Sequence, residues 1–367
     1  MINFTDNVVS VYASKEDCLV PAPEYYEILM HFLHFVTLPN YILSIYVLIH
    51  DAPKPLKQYR NYLLWHTVGN IIFELYISVF FLPVTYLPLV VFRGAGILKY
   101  LNTQGLLQFY LMVFCVVHTG TSILEMFRYR FDAAITEETL SRRILQKIVM
   151  FFWIFALSIP IFCIITMPTC VPKQDQFKQN LIRAYPNSSI QIMCDTTVVA
   201  PPLIDPIFTP LLSLIVIAIL FAAIIIPHTT ATIWMRLDYF SKHLSPKTVQ
   251  LQKMLLLSLF IQAAIHGTLL GVPIFGFLYA ILFSLENDDI AYFLLLLVSF
   301  HGSVSTVAMV FFTKPIRKGY VRVVRVGLRM KPERENVTII INPEVTSTSV
   351  TSRRSTIVAQ SPIVLIS

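Results

Sequence analysis

The chain has 367 residues, of which 56% are hydrophobic and only 13% charged, with a formal net charge of +7. An average soluble domain is about 25% charged, so one soluble core cannot hide this much apolar surface and a soluble globular fold is excluded. The basic excess follows membrane topology and has no separate nucleic-acid motif beside it, so a nucleic-acid partner is not expected.

Residues 1–24 are polar or mixed, with no apolar core ahead of a small-residue cleavage site. No cleavable signal is expected, and the first span is expected to act as an uncleaved anchor. A bilayer-crossing helix needs about 20 mostly apolar residues. Such stretches fall at 25–49, 61–85, 104–127, 148–168, 206–227, 254–283 and 290–312. They predict an all-α membrane protein, a seven-transmembrane helix bundle. Pro39, Pro83, Pro160, Pro210 and Pro273 interrupt these stretches without disqualifying them, because membrane helices tolerate proline.

In the first span His31 and His34 share a face near one end and read as interfacial. Glu74 lies near the middle of the second span, with Asn70 one turn earlier on the same face. An ionisable group at mid-bilayer is costly and turns to the bundle interior. This pair is expected to form a polar network holding an ion, water or a partner on another helix. The competing reading is a protonated structural carboxylic acid. The third span has His118 near its middle and ends in Glu125-Met126-Phe127-Arg128-Tyr129-Arg130-Phe131, whose basic and aromatic residues suit a membrane boundary.

The connection 169–205 is long and carries two cysteines, several prolines and the glycosylation sequon at Asn187. It reads as a lid or glycosylated cover, or as a plain solvated connector. The sixth stretch exceeds what a bilayer needs, so tilt or a kink near Pro273 is expected. His266 and His301 lie near the middles of the sixth and seventh spans. Together with His118 they have no tight His-x-x-x-His spacing, so no metal is expected. No nucleophile–base pair stands out, so neither an enzyme nor a cofactor is expected.

After the seventh span, residues 313–331 place Lys318, Arg322, Arg325 and Arg329 on one helical side and Ile316, Tyr320, Val323 and Met330 roughly opposite. That pattern suits a basic amphipathic helix on an anionic membrane surface. Residues 332–367 are rich in Ser and Thr, have no period that would bury a face, and are expected to be a disordered cytosolic tail.

The N-terminus and the second, fourth and sixth loops carry 6 of the 28 Lys and Arg residues; the other loops and the tail carry 22. The positive-inside rule then places residues 1–24 and the N-terminus outside and the C-terminus in the cytosol, with residues 25–312 as the membrane domain. Sequons at Asn3 and Asn187 fall on the outer side and are glycosylation candidates; a third, at Asn336, falls on the inner side and should stay bare. Cys115 and Cys163 lie within spans and read as packing residues. Cys18, Cys170 and Cys194 face the oxidising side. One disulfide among these three is expected; Cys18 with Cys194 is preferred, though the residues leave the pairing open.

These residues also carry a family likeness. The chain resembles the nematode seven-span chemoreceptors, and the class H serpentine receptors in particular, from about Cys18 to Arg317. The matching residues are Pro53-Lys54 with Lys57, Tyr62-Leu63-Leu64, Pro83, Pro88 and Gly96, then Gln108, Tyr110, Leu111, Gly120, Ser122 and Phe127. They continue with Gln252, Lys253, Gln262 and Pro273, and with His301-Gly302, Ser305-Thr306, Lys314-Pro315 and Arg317. Glu74 stands where the family usually has Asp. The family's Glu-Asn-Arg-Tyr becomes Arg128-Tyr129-Arg130-Phe131, which keeps the arginine and loses its acidic partner; Glu125 is the expected substitute. His266 stands where proline is usual.

The resemblance implies a chemosensory G-protein-coupled receptor in the plasma membrane of a sensory neuron cilium. It would bind a small external ligand within the bundle and activate a heterotrimeric G protein. Gln108, Tyr110, Gln262, His266 and His301 are the expected pocket residues. Arg130, Arg128, Lys253, Lys314 and Arg317 are expected to face the G protein. A seven-span channel or transporter, or a non-signalling accessory membrane protein, is the alternative. The charge bias opposes the cytosolic N-terminus of seven-span sensory channels, and no inverted repeat of the transporter kind is seen.

Overall fold

A computed structural model of the chain describes residues 13–51, 57–134, 140–186, 188–199, 208–239 and 245–328. The sequons at Asn3, Asn187 and Asn336, the pair Pro53-Lys54, Arg329, Met330 and the segment 332–367 lie outside the described residues.

A single turn, α1 (Lys15–Cys18), closed by a reciprocal cap between Ser14 and Asp17, leads to α2 (Glu24–His50). The bundle continues with α3 (Lys57–Leu75), α4 (Gly105–Ala134), α5 (Leu140–Ala184), α6 (Phe208–Tyr239), α7 (Pro246–Leu282) and α8 (Asp288–Phe312). Among the described residues, α2 to α8 are seven helices long and apolar enough to cross a membrane. A last helix, α9 (Lys314–Gly327), follows directly.

Local chemistry sets the helix starts. The Ser245 hydroxyl caps α7 by accepting from the Thr248 amide at 3.2 Å, with Pro246 in the first position. The Asn287 side chain accepts from the Ile290 amide at 3.2 Å, and Asp288 and Asp289 place negative charge against the α8 dipole. Helix α3 ends in a π-helical turn (Tyr76–Phe81), and Leu82, at φ 42°, turns the chain out of the bundle.

That turn feeds β1 (Pro83–Thr85), which pairs antiparallel with β2 (Val91–Gly94) and through it with β3 (Thr197–Val199). The small sheet closes one end of the bundle over the first turn of α4. The fit is close: a Cβ on Gly105 would lie 2.6 Å from the Thr196 carbonyl oxygen, so only glycine starts α4 there.

The fourth helix is longer than its apolar stretch. It runs to Ala184, through Pro160, Pro168 and Pro172, where apolarity ends at 168. Each proline removes a backbone hydrogen bond, but tertiary contacts hold the extension. Gln174 bonds both ways to Val199, at 2.9 and 2.8 Å, and Lys178 Nζ donates to the Cys194 carbonyl at 2.7 Å. Phe177 and Leu181 pack on the buried side chains of Val91, Ile192 and Val199.

Helices α4, α6 and α7 also outrun their apolar stretches at the opposite end of the bundle. There Arg128 bonds Asp132 at 3.1 Å, Arg142 bonds Asp132 at 2.9 Å, and Lys253 pairs with Asp238. Bilayer thickness limits apolarity, whereas paired polar side chains let the backbone helix continue.

Near the sheet the core includes Tyr26, Met30, Phe73, Ile77 and Tyr292. The other end packs Leu63, Phe127, Phe131, Leu259, Met309 and Ile316. Large side chains such as Phe35, Ile164, Phe293 and Phe311 point outward. Water would make that surface costly; hydrocarbon does not. Ile316 of α9 is buried, and the Tyr320 hydroxyl donates to Asn40 of α2 at 3.2 Å. Lys318 and Arg322 lie on its exposed side.

Candidate functional site

Midway along the bundle, α4, α5, α6 and α7 enclose a cavity of about 430 Å³, within the size range of small-molecule sites. Its wall is almost wholly apolar, with Phe152, Phe155, Phe260 and Leu270 among its residues. Small side chains make the room: Gly120, Ala222, Ala223, Gly267 and Gly271 all line it. Thr119 and His266 supply the polar side chains of the wall. Thr119 Oγ1 and His266 Nε2 are both buried and have no hydrogen-bond partner among the described residues. The other imidazole nitrogen of His266 meets the Gln262 carbonyl of its own helix at 2.8 Å.

Behind His266 runs a polar spine. The His266 ring lies 5.0 Å from that of His66 and 5.2 Å from that of His301. Asn70 Nδ2 donates to His66 Nε2 at 3.2 Å, and His66 Nδ1 lies 2.7 Å from Ser122 Oγ. The Ser122 hydroxyl donates in turn to the Thr119 carbonyl at 2.8 Å. With those two hydrogens directed, His66 carries its proton on Nδ1 and links α3 to α4.

One turn further on, the Glu74 carboxylate accepts from Thr37 and, at 2.7 Å, from Tyr41, both on α2; His34 Nδ1 lies 3.7 Å away. Glu74 is 2% exposed. Asn70 and Glu74 thus share a face but bond different neighbours. Gly302 of α8 closes the layer: a Cβ there would stand 2.5 Å from Tyr41 Oη and 2.8 Å from Asn70 Cβ.

The structure distributes the five expected pocket residues unevenly. His266 lines the cavity. His301 stacks behind it, and Gln262 donates to Ser258 within α7. Gln108 sits under the sheet and donates to the Thr103 carbonyl at 2.7 Å, while Tyr110 meets Phe162 edge to face. Neither reaches the cavity wall.

At the end away from the sheet, Arg130 is 5% exposed. Its guanidinium lies 3.6 Å from the centre of the Tyr59 ring, and Nη1 donates to Gln252 Oε1 of α7 at 2.9 Å. Glu125, the expected substitute partner, pairs instead with Arg128. The reason is helical spacing: three residues bring Glu125 and Arg128 to one face, whereas five turn Arg130 well away. Lys253 lies over Trp234 while pairing with Asp238. The Lys314 amide lies 3.4 Å from Met254 Sδ, and Arg317 Nη1 donates to the Phe311 carbonyl at 3.1 Å.

The sheet end is tied by a disulfide between Cys18 and Cys194. Arg93 reinforces it, donating to the carbonyls of Val20 at 2.7 Å and Pro21 at 3.3 Å. Among the described residues Cys115 and Cys170 are free thiols, and no group of three or more His, Cys, Asp or Glu residues is placed to hold a metal.

Sequence reading passed over His66, Thr119, Tyr41 and Tyr59. One signal for His66 was there: His66, Asn70 and Glu74 recur at four-residue intervals, a polar stripe on an otherwise apolar span. The partners on α2 and α4 left no such trace.

A family model described as serpentine type 7TM GPCR chemoreceptor Srh matches residues 21–326. No curated protein matches the chain.

Proposed function

The chain belongs to the Srh family of serpentine seven-transmembrane chemoreceptors, and on that premise we propose that it binds a small external ligand within its bundle and activates a heterotrimeric G protein. The observation that carries this reading is the family match across the whole bundle. The cavity between α4 and α7 supports it, because a ligand there touches four helices at once. It acts as an agonist only if it prefers the active arrangement of those helices to the resting one.

In this reading the sheet end faces outward and the Arg130 end faces the cytosol. His266 contacts ligand; His301 and Gln262 hold its ring in place; Gln108 supports the cap, and Tyr110 packs against α5. Arg130, Arg128, Lys253, Lys314 and Arg317 lie on or beside the surface that meets the G protein. The setting is the plasma membrane of a sensory cilium.

The test is a ligand screen in cells expressing the chain, with G-protein activation as readout. Arg130→Ala should abolish a ligand-evoked response while leaving surface expression intact. A full response in that variant removes the assigned role of Arg130. Ligand-evoked current or solute uptake without G-protein dependence replaces the receptor reading with a channel or transporter.

A further inference from the structure

We propose that the cavity takes a membrane-partitioning small molecule with one hydrogen-bonding group, and that this molecule reaches it sideways from the bilayer between α5 and α6. The purpose of such binding rests on the receptor reading; the chemistry rests on the cavity itself.

The ligand class follows from the wall. Apolar side chains and glycines cover nearly all of it, so a charged or strongly hydrated molecule would lose its water without replacement partners. A pure hydrocarbon is also a poor fit. Two wall residues, Thr119 and His266, hold polar side-chain atoms that find no hydrogen-bond partner among the described residues; both atoms are sealed just behind the wall, so a ligand meets them as the side chain turns toward it. A buried polar atom without a partner is destabilising; because His266 Nδ1 donates to the Gln262 carbonyl, Nε2 is left as an acceptor, which a hydroxyl on a ligand would satisfy. An alcohol with a hydrocarbon body meets both conditions.

The route follows from what is closed and what is open. At the sheet end, β2 and β3 lie over the first turn of α4, whose Gly105 amide donates to the Asp195 carbonyl at 2.7 Å. The disulfide and Arg93 fasten that cap. The flank differs. Helix α6 packs on α4 and α7, and α5 packs on α4, but α5 and α6 meet little or not at all among the described residues. The wall there reaches the outer surface, where Leu220 is 52% exposed although it lines the cavity. Gly120, at the middle of α4, is likewise exposed, and a Cβ built on it finds no atom within 4 Å. Open space therefore extends from the bundle centre toward the hydrocarbon.

The test uses the full chain, purified into phosphatidylcholine nanodiscs, with a diazirine-bearing octanol as photoprobe and mass spectrometry of labelled peptides. Saturable labelling should map to Phe152, Leu220 and Phe260, and octanol should compete better than octane. Gly120→Leu and Gly267→Leu each place a side chain in open space, so each should abolish labelling while the thermal melt stays cooperative. They are independent, so loss of fold in one leaves the other decisive. His266→Phe keeps the volume and should weaken octanol by about tenfold, the equivalent of one hydrogen bond, without changing octane. Leu220→Trp should slow probe association while leaving saturation unchanged.

Equal competition by octane and octanol would overturn the ligand class and mark the cavity as a niche for lipid chains. Labelling that survives both glycine variants would place the probe elsewhere and overturn the site. Association insensitive to Leu220→Trp but accelerated by reducing the disulfide would overturn the route. No G protein is needed in this assay. Variant-sensitive binding in a chain that never signals would keep the inference and remove the receptor reading; signalling from a chain that fails the binding test would do the reverse.

Discussion

At the scale of single residues, two positions set how the spine and the inner end respond to change. Gly302 touches Tyr41 and Asn70 so closely that even one methyl must displace them. Gly302→Ala should therefore lower stability by about 1–3 kcal/mol, the usual range for overpacking, read as a lower melting temperature in nanodiscs; an unchanged melt would show that the layer yields freely. Arg130 offers the opposite case. Its partner on α7 is the neutral Gln252, so Gln252→Glu would turn a hydrogen bond charged on one side only into an ion pair, and strengthen it. If separation of α4 from α7 accompanies activation, basal G-protein turnover should fall in that variant; a rise would show that the contact favours the active arrangement. How legible were these residues beforehand? His266 was visible because a histidine in an apolar span must face something polar. Gln108 looked equivalent in sequence, yet it serves the cap, because one chain shows that a side chain is polar but not which neighbour satisfies it. Glu125 was misassigned for a reason the sequence did contain, since five residues along a helix do not share a face.

At the scale of elements, the seven spans were legible because a bilayer demands about 20 apolar residues of any helix that crosses it. Their ends were not, because helices outlast apolarity wherever caps or paired charges support them. Helix α5 shows this most clearly. Beyond 168 its residues look like a polar loop with prolines, yet they form the arm that holds β3 and the disulfide loop. No local pattern announces this, since Gln174 and Lys178 find their partners on backbone far along the chain. Lys178 makes the arm testable. It is 3% exposed, and burial holds its pKa below the ordinary 10.5, with Asp175 and Asp195 pulling weakly the other way. The unfolded chain thus binds the proton more readily than the folded one. Stability should then rise with pH through the window that ends at 10.5, and be lost as pH falls through the lowered folded value. The neutral amine can still donate to the Cys194 carbonyl, so deprotonation removes the charge without removing the bond. Lys178→Met should flatten that pH dependence of the melt. An equally steep rise in the variant would assign it to another group.

At the scale of the whole molecule, the two ends of the bundle differ in kind. One end has the sheet, the disulfide and the buried Arg93; the other gathers Arg128, Arg130, Arg142, Lys253, Lys314 and Arg317. Disulfides persist on the oxidising side of a membrane, and basic residues accumulate on the cytosolic side. These are independent pressures, one redox and one electrostatic, and we propose on both grounds that the sheet end faces outward. Helix α9 extends the electrostatic one, because its exposed Lys318 and Arg322 suit an anionic inner leaflet. We therefore expect an epitope tag at the N-terminus to be stained on intact cells, and a tag at the C-terminus to be stained only after permeabilisation. Reversed staining would put the disulfide in a reducing compartment and the basic end outside. The Arg130 surface could then meet no cytosolic G protein, and the channel reading, which needs a cytosolic N-terminus, would gain the ground that the receptor reading lost.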